Sequence, residues 1–131
     1  MKKISVLLLG LFLLTGCSAA PKEKAGEAVY QQITMEEAVS IMEAGKDIVI
    51  LDVRTPQEYA EGHIPGAINV PNETIGQGEI AELPQKDQEI LVYCRSGNRS
   101  KQASQKLAQL GYKNIKEFGG IRSWTGEIVT D

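Results

Sequence analysis

Of the two cysteines in this 131-residue chain, Cys94 has the surroundings of a reactive one. It ends the apolar run Ile90-Leu91-Val92-Tyr93 and opens Arg95-Ser96-Gly97-Asn98-Arg99, a loop of small and cationic residues that leads into a helical pattern. A thiol becomes a nucleophile when its thiolate is stabilised, and a helix N-terminus with nearby cations lowers a cysteine pKa to roughly 3.5–7.5. The helix expected to begin near Arg99 and Ser100 supplies a dipole and unpaired amides. Arg95 and Arg99 supply fixed positive charge. Gly97 lets the backbone curl so that successive N–H groups converge on one point, an anion-binding nest. Together these describe an activated thiolate that meets an anionic substrate. The plainer alternative is a small buried hydrophobe.

The elements that must hold this loop are readable around it. Thr34-Met35-Glu36-Glu37 has the pattern of a capping box, and Met35, Ala38, Val39 and Met42 give a helix one apolar face, closed at Gly45. Ile48-Val49-Ile50-Leu51 reads as a strand buried on both faces. Thr55-Pro56-Gln57-Glu58 is a second capping box, with proline at the first helical position, and its short helix ends at Gly62. Ala67-Ile68-Asn69-Val70 reads as a short strand, Glu79 to Leu83 as one or two helical turns, and Ile90-Leu91-Val92-Tyr93 as a second apolar strand. Ser100 to Leu110 reads as an amphipathic helix ended by Gly111 and Asn114 to Phe118 as a last strand, with Gly119-Gly120 turning into a segment that carries Trp124. Strands alternating with helices predict a mostly parallel sheet between helical layers. Ligands of such folds sit beyond the carboxyl ends of the strands, where both Asp52 and Cys94 lie.

Two chemistries share these ingredients. Protein tyrosine phosphatases separate their cysteine and arginine by five residues that cradle a phosphate, whereas four residues separate Cys94 from Arg99 here. The shorter ring of amides suits a single sulfur atom held on the cysteine. With Leu51-Asp52-Val53-Arg54, Glu58-Tyr59, Gly62-His63-Ile64-Pro65-Gly66-Ala67, Tyr93-Cys94-Arg95-Ser96-Gly97-Asn98-Arg99-Ser100 and Gly119-Gly120 before Trp124, the chain from Ile33 onward resembles a single-domain rhodanese, a sulfurtransferase module. The resemblance implies a three-layer α/β/α fold with about five strands and no cofactor. It also implies a cycle in which Cys94 takes the outer sulfur of a donor such as thiosulfate as a persulfide. A thiol, cyanide or a thioredoxin-like protein then accepts that sulfur. Arg95, Ser96, Gly97, Asn98 and Arg99 are the expected binding loop, with Arg95 at its mouth; the resemblance implies that Asp52 anchors the loop, and a plain cap on the turn after its strand is the alternative. A persulfide carrier that turns over poorly, and a phosphatase or arsenate reductase, are the alternatives.

The remaining residues carry less. Arg54 is expected to pair with Glu58 one turn on, and His63 and Trp124 are expected to serve hydrogen bonding and packing. One histidine and one available cysteine do not make a usual zinc site.

The amino terminus sets the compartment. Lys2 and Lys3 precede an uncharged apolar run from Ile4 to Leu14, too short for an ordinary transmembrane helix but suited to a secretory signal. Leu14-Thr15-Gly16-Cys17 resembles the lipobox of bacterial lipoproteins, which implies cleavage after residue 16 and lipidation of Cys17; an ordinary signal peptide cut near Ala19 or Ala20 is the alternative. Residues 17–32 then form the lipidated cysteine and a tether, about 20 Å long as a flexible coil, and residues 33–131 the domain. Two or three acyl chains would hold the protein on the extracytoplasmic face of a membrane. The loss of Lys2 and Lys3 from fourteen cations leaves twelve against seventeen anions, a net charge of −5 that does not favour nucleic acid. Cys94 is then the lone thiol of an exported domain, with no internal disulfide partner.

Overall fold

The structure, a computed structural model, describes residues 29–131. The signal segment, Cys17 and the tether as far as residue 28 lie outside the described residues. The elements run β1 (Gln31–Gln32), α1 (Met35–Glu43), β2 (Ile48–Asp52), α2 (Pro56–Glu61), β3 (Ile68–Asn69), β4 (Glu89–Cys94), α3 (Asn98–Gln109) and β5 (Ile115–Gly120). Single 3-10 turns follow β3, at Asn72–Thr74, and β5, at Ile121–Ser123. All five strands are parallel, in the order β1-β5-β4-β2-β3.

β4 is the centre of the sheet, and its side chains alternate between two apolar layers. Ile90, Val92 and Cys94 pack with Ala103, Leu107 and Ala108 of α3. Leu91 and Tyr93 pack on the other side with Ala38, Met35, Ile41 and Met42 of α1 and with Tyr59 of α2. A strand covered on both faces has no polar side, which explains its unbroken apolar run. The expected α/β/α layering is the one observed, and each fully buried aliphatic side chain contributes about 1.5–3 kcal/mol to holding it.

Local signals set the helix starts. Thr34 Oγ1 accepts from Glu37 N at 3.1 Å, and at α2 the capping box is complete, with Thr55 Oγ1 accepting from Glu58 N and Thr55 N donating to Glu58 Oε1. Such caps contribute about 1 kcal/mol each.

Several expectations need correction. No helix forms between Glu79 and Leu83; Ile80 and Leu83 are buried through a single turn closed by Leu83 N donating to Ile80 O at 3.0 Å. Their i, i+3 spacing mimics a helix, but Pro84 follows at once and Gly76 and Gly78, both at positive φ, precede. α3 begins at Asn98, with Gly97 as its N-cap, rather than near Arg99. β1 uses two exposed glutamines assigned above to the tether; Gln31 pairs with Lys116 and Gln32 with Glu117. An edge pair with both side chains in solvent carries no hydrophobic alternation to read.

Candidate active site

Cys94 is the last residue of β4 and is only 1% exposed, so its sulfur lies beneath the loop rather than on it. The chain leaves the strand through Arg95 and Ser96, both exposed, and turns into α3 at Gly97 with φ +108°. That left-handed conformation costs an ordinary residue roughly 1–2 kcal/mol. It aims the Gly97 amide at the sulfur, with N···Sγ at 3.0 Å. The Cys94 thiol lies 3.4 Å from Ser100 Oγ, to which it donates. Burial pushes the thiol pKa up. Against it stand the Ser100 hydroxyl and the backbone amides of Ser100, Gly97 and Ser96, which prevail and hold Cys94 below the ordinary thiol value. Helix-start amides and one hydroxyl, more than arginine charge, favour the thiolate.

The floor beneath the loop comes from β5. Glu117, only 3% exposed, accepts from Ser100 Oγ at 2.8 Å and from Gly119 N at 2.9 Å. Gly120 pairs with Cys94 past an irregularity in the ladder, and Arg95 O accepts from Arg122 N at 3.2 Å. A Cβ at Gly120 would lie 2.0 Å from Arg95 O and 2.6 Å from Ser96 N. Glycine is needed here for close approach of two backbones, since its φ of −137° suits any residue.

The arginines have different fates. Arg99 donates through both terminal nitrogens to Glu58, at 2.6 and 2.9 Å, tying α3 to α2. This is the partner of Glu58; the expected Arg54–Glu58 pair does not form. Arg54 precedes the Thr55 cap and so lies outside α2, where helical i, i+4 spacing does not apply. Its guanidinium instead holds Asp52, with Nη2–Oδ2 at 2.6 Å, and donates to Gly62 O at 2.7 Å. Burial alone would lower the Arg54 pKa, but the Asp52 contact outweighs it and raises it.

Tyr93 completes that cluster on the face of β4 opposite the sulfur. Its hydroxyl donates to Asp52 Oδ2 at 2.7 Å and accepts from Ile64 N at 3.1 Å. Burial and the Asp52 contact push the phenol well above its ordinary pKa, so it remains a donor. The side-chain hydrogen bonds of Asp52 come from Arg54 and Tyr93, and none comes from residues 95–99. The expected anchoring of the loop by hydrogen bonds from Asp52 does not form; Asp52 is tied instead to Tyr93, the residue before Cys94, and to Arg54. His63 is buried, stacked on Tyr59 at 3.7 Å, with Nδ1 2.8 Å from Tyr59 O and Nε2 3.0 Å from Asp131 Oδ1.

Arg95 stands at the rim of a cleft of about 380 Å³, whose other walls include Arg122, Glu61, Trp124, Ile121 and Ile128. Neither Arg95 nor Arg122 enters an ion pair among the described residues. These two guanidiniums share the cleft with the carboxylates of Glu58 and Glu61, and Arg95 follows Cys94 directly in the chain. Asn98 is exposed at the first turn of α3. Cys94, its loop and Arg95 stand out in the sequence, whereas Glu117 and the contact role of Gly120 do not. The available signals are an acid amid the apolar residues of β5 and a glycine pair directly after it.

A family model described as Rhodanese-like domain matches residues 34–127. The chain belongs to the rhodanese-like family. Over 72 residues it is 35% identical to the thiosulfate sulfurtransferase PspE of Escherichia coli, covering 55% of this chain and 69% of that protein. Over 80 residues it is 42% identical to a sulfurtransferase of Allochromatium vinosum, covering 60% of this chain and 73% of that one. The human single-domain sulfurtransferase TSTD1 superposes with a TM-score of 0.65 at 28% identity, over 73% of this chain and 96% of the human one. Membership of the rhodanese-like family and these relatives support sulfur transfer as the general activity, with a sulfur donor and a thiol acceptor.

Proposed function

We propose that the protein moves a sulfane sulfur from thiosulfate, or a donor of similar charge, to a thiol or cyanide through a persulfide on Cys94. The observation that carries this reading is the buried Cys94 sulfur, met by the Gly97 amide at 3.0 Å inside a loop whose hydrogen bonds favour an anion.

In the first half-reaction the Cys94 thiolate attacks the outer sulfur of thiosulfate. A new S–S bond forms, and the bond to the sulfonate sulfur breaks with its electron pair, releasing sulfite. The terminal sulfur keeps one negative charge, suited to the inward amides of the loop. In the second, cyanide or a thiolate attacks that terminal sulfur, and its bond to Cys94 breaks to regenerate the thiolate. Arg95 attracts the dianionic donor to the rim. Arg99 acts on the loop's position through Glu58, since both its terminal nitrogens are engaged there. That commitment argues against the phosphatase alternative, which needs an arginine free to grip phosphate.

The leader belongs to the same reading: lipidation at Cys17 and a place on the extracytoplasmic face of a membrane, supported by Leu14-Thr15-Gly16-Cys17. Steady-state thiosulfate:cyanide kinetics test the enzymatic proposal. A covalent intermediate gives ping-pong kinetics, with parallel double-reciprocal lines. Intersecting lines, or no turnover by a folded and reduced sample, would count against it.

A further inference from the structure

The cleft beside the cysteine loop has a wall that an inorganic donor does not use. Its volume of about 380 Å³ lies within the roughly 300–1,000 Å³ range of small-molecule sites. Ile121, Trp124 and Ile128 give it an apolar side. Thiosulfate carries no carbon and gains nothing from that side. The wall is also fixed in place. Val129 exchanges two main-chain hydrogen bonds with His63, both 2.9 Å. This seats Ile128 against Gly62, where a Cβ would lie 2.7 Å from Ile128 Cγ2. The Trp124 indole donates to Glu127 O at 2.9 Å, and its ring packs so closely on Gly126 that a Cβ there would lie 2.6 Å from Cζ2. Ile128 nevertheless stays 46% exposed. A rigid apolar surface left open in a cleft needs little further ordering when a ligand binds.

The charged groups of the cleft divide by commitment. Arg54 is held by Asp52 and Gly62 O, and Glu58 by Arg99. Glu61, Arg95 and Arg122 are exposed and enter no ion pair among the described residues. Arg122 N donates to Arg95 O at 3.2 Å, so the residue that follows Ile121 of the apolar wall adjoins the start of the cysteine loop. Glu61 ends α2. Two uncommitted cations against one anion suit an occupant with a single negative group beyond its reacting sulfur, and Glu61 opposes a second.

We propose that this cleft selects the sulfur acceptor, and that the acceptor is a small organic thiol with an apolar body for Trp124 and Ile128 and one carboxylate for Arg122. The inference rests on the sulfur-transfer reading of Cys94 and names the acceptor class for it. In the step concerned, the acceptor thiolate attacks the terminal sulfur of the Cys94 persulfide. An S–S bond forms to the acceptor, the bond to Cys94 breaks with its electron pair, and the acceptor leaves as a persulfide anion. Trp124, Ile128 and Arg122 meet the body of the acceptor and not the reacting sulfurs, so they set specificity.

The test is single-turnover discharge of protein preloaded with thiosulfate and freed of excess donor, followed by intact mass. The probes are 4-(mercaptomethyl)benzoate, which has both the body and the carboxylate; phenylmethanethiol, which lacks the carboxylate; 2-mercaptoethanol, which lacks both; and cyanide. Thiols are compared at equal thiolate concentration, each rate divided by that with cysteine persulfide in solution. Wild type should discharge to 4-(mercaptomethyl)benzoate about tenfold faster than to 2-mercaptoethanol. In Ile128→Ser the ratio of the rate with this acid thiol to the rate with cyanide should fall about tenfold. In Arg122→Ala the ratio of the acid thiol to phenylmethanethiol should fall by about the same factor. Damage to the loop itself would slow every acceptor and leave both ratios in place. Ratios that stay at the wild-type value, or a wild type without the preference, overturn the proposal. So does an Ile128→Ser protein slowed toward a reduced thioredoxin-like protein but not toward the acid thiol, which would give the wall to a protein partner. A wild type that takes up no sulfur from thiosulfate fails earlier, at the sulfur-transfer reading, and this inference falls with it.

Discussion

Replacing Gly120 by alanine drives a methyl group into the backbone that carries the cysteine loop. The new Cβ would stand 2.0 Å from Arg95 O, 2.3 Å from Arg95 C and 2.6 Å from Ser96 N. An ordinary contact begins near 3.4 Å, so the first turn after Cys94 must retreat by about 1.4 Å. The backbone has no flexible side-chain end to give way. The move also pulls Arg95 O from Arg122 N and carries the Ser96 and Gly97 amides away from the sulfur. Displacing a catalytic group by about 1 Å can cost on the order of 100-fold in rate. Overpacking of this kind costs about 1–3 kcal/mol of stability, at about 4–8 °C in Tm per kcal/mol for a domain of this size. Thiosulfate:cyanide turnover should fall about 100-fold, with alkylation of Cys94 at neutral pH slowed alongside it. Gly119→Ala is the comparison. Gly119 sits at φ +95° with open space around its Cβ position, so it should lose stability while keeping most of its turnover. Full activity in Gly120→Ala with unchanged alkylation would refute the claim that β5 sets the loop's height.

Three further substitutions separate the roles of the charged residues. Arg95→Ala should lower kcat/KM for thiosulfate about tenfold or more with Tm little changed; an unchanged specificity constant would remove Arg95 from the mouth. Glu58, held at about 2 chiefly by Arg99 against an ordinary 4.5, contributes stability that is full above about pH 4.5 and lost as pH falls through about 2. The nominal shift corresponds to about 3 kcal/mol, but both side chains are partly exposed, and screening reduces it to about 1 kcal/mol. The urea-unfolding difference between wild type and Glu58→Gln should therefore be present at pH 7 and absent at pH 2; a difference that persists at pH 2 would contradict the ion pair as its source. Asp52→Asn leaves the Arg54 guanidinium buried without its counter-charge, a loss of about 3–5 kcal/mol, read as a lowered urea midpoint at unchanged m. A loss no larger than the roughly 1 kcal/mol of a surface pair would contradict the structural weight given to the cluster.

The parts of this protein legible in its sequence are those with local causes. Thr34 and Thr55 announce helix starts because a cap is satisfied within three residues, and Ile90 to Tyr93 announces a central strand because both faces need apolar cover. The loop from Cys94 to Ser100 is legible because its chemistry is contiguous. Contacts that depend on the finished fold are not. Arg99 finds Glu58 across 41 positions, and Arg54 turns back to Asp52, because the Thr55 cap places it outside the helix that i, i+4 reasoning assumes. Glu117 looks like an exposed strand acid until β5 is set beside β4 and its carboxylate meets Ser100. β1 and the turn at Ile80 to Leu83 show the same limit, since edge pairing and single-turn burial leave no periodic trace.

The central claim is that Cys94 carries sulfur covalently. Its most direct test is the intact mass of the reduced chain before and after thiosulfate, with Cys94→Ser treated in parallel. The wild type should gain one sulfur atom and lose it on addition of cyanide, and the folded Cys94→Ser protein should gain nothing. A folded, alkylatable wild type that gains no sulfur, or a Cys94→Ser protein that does, would contradict it.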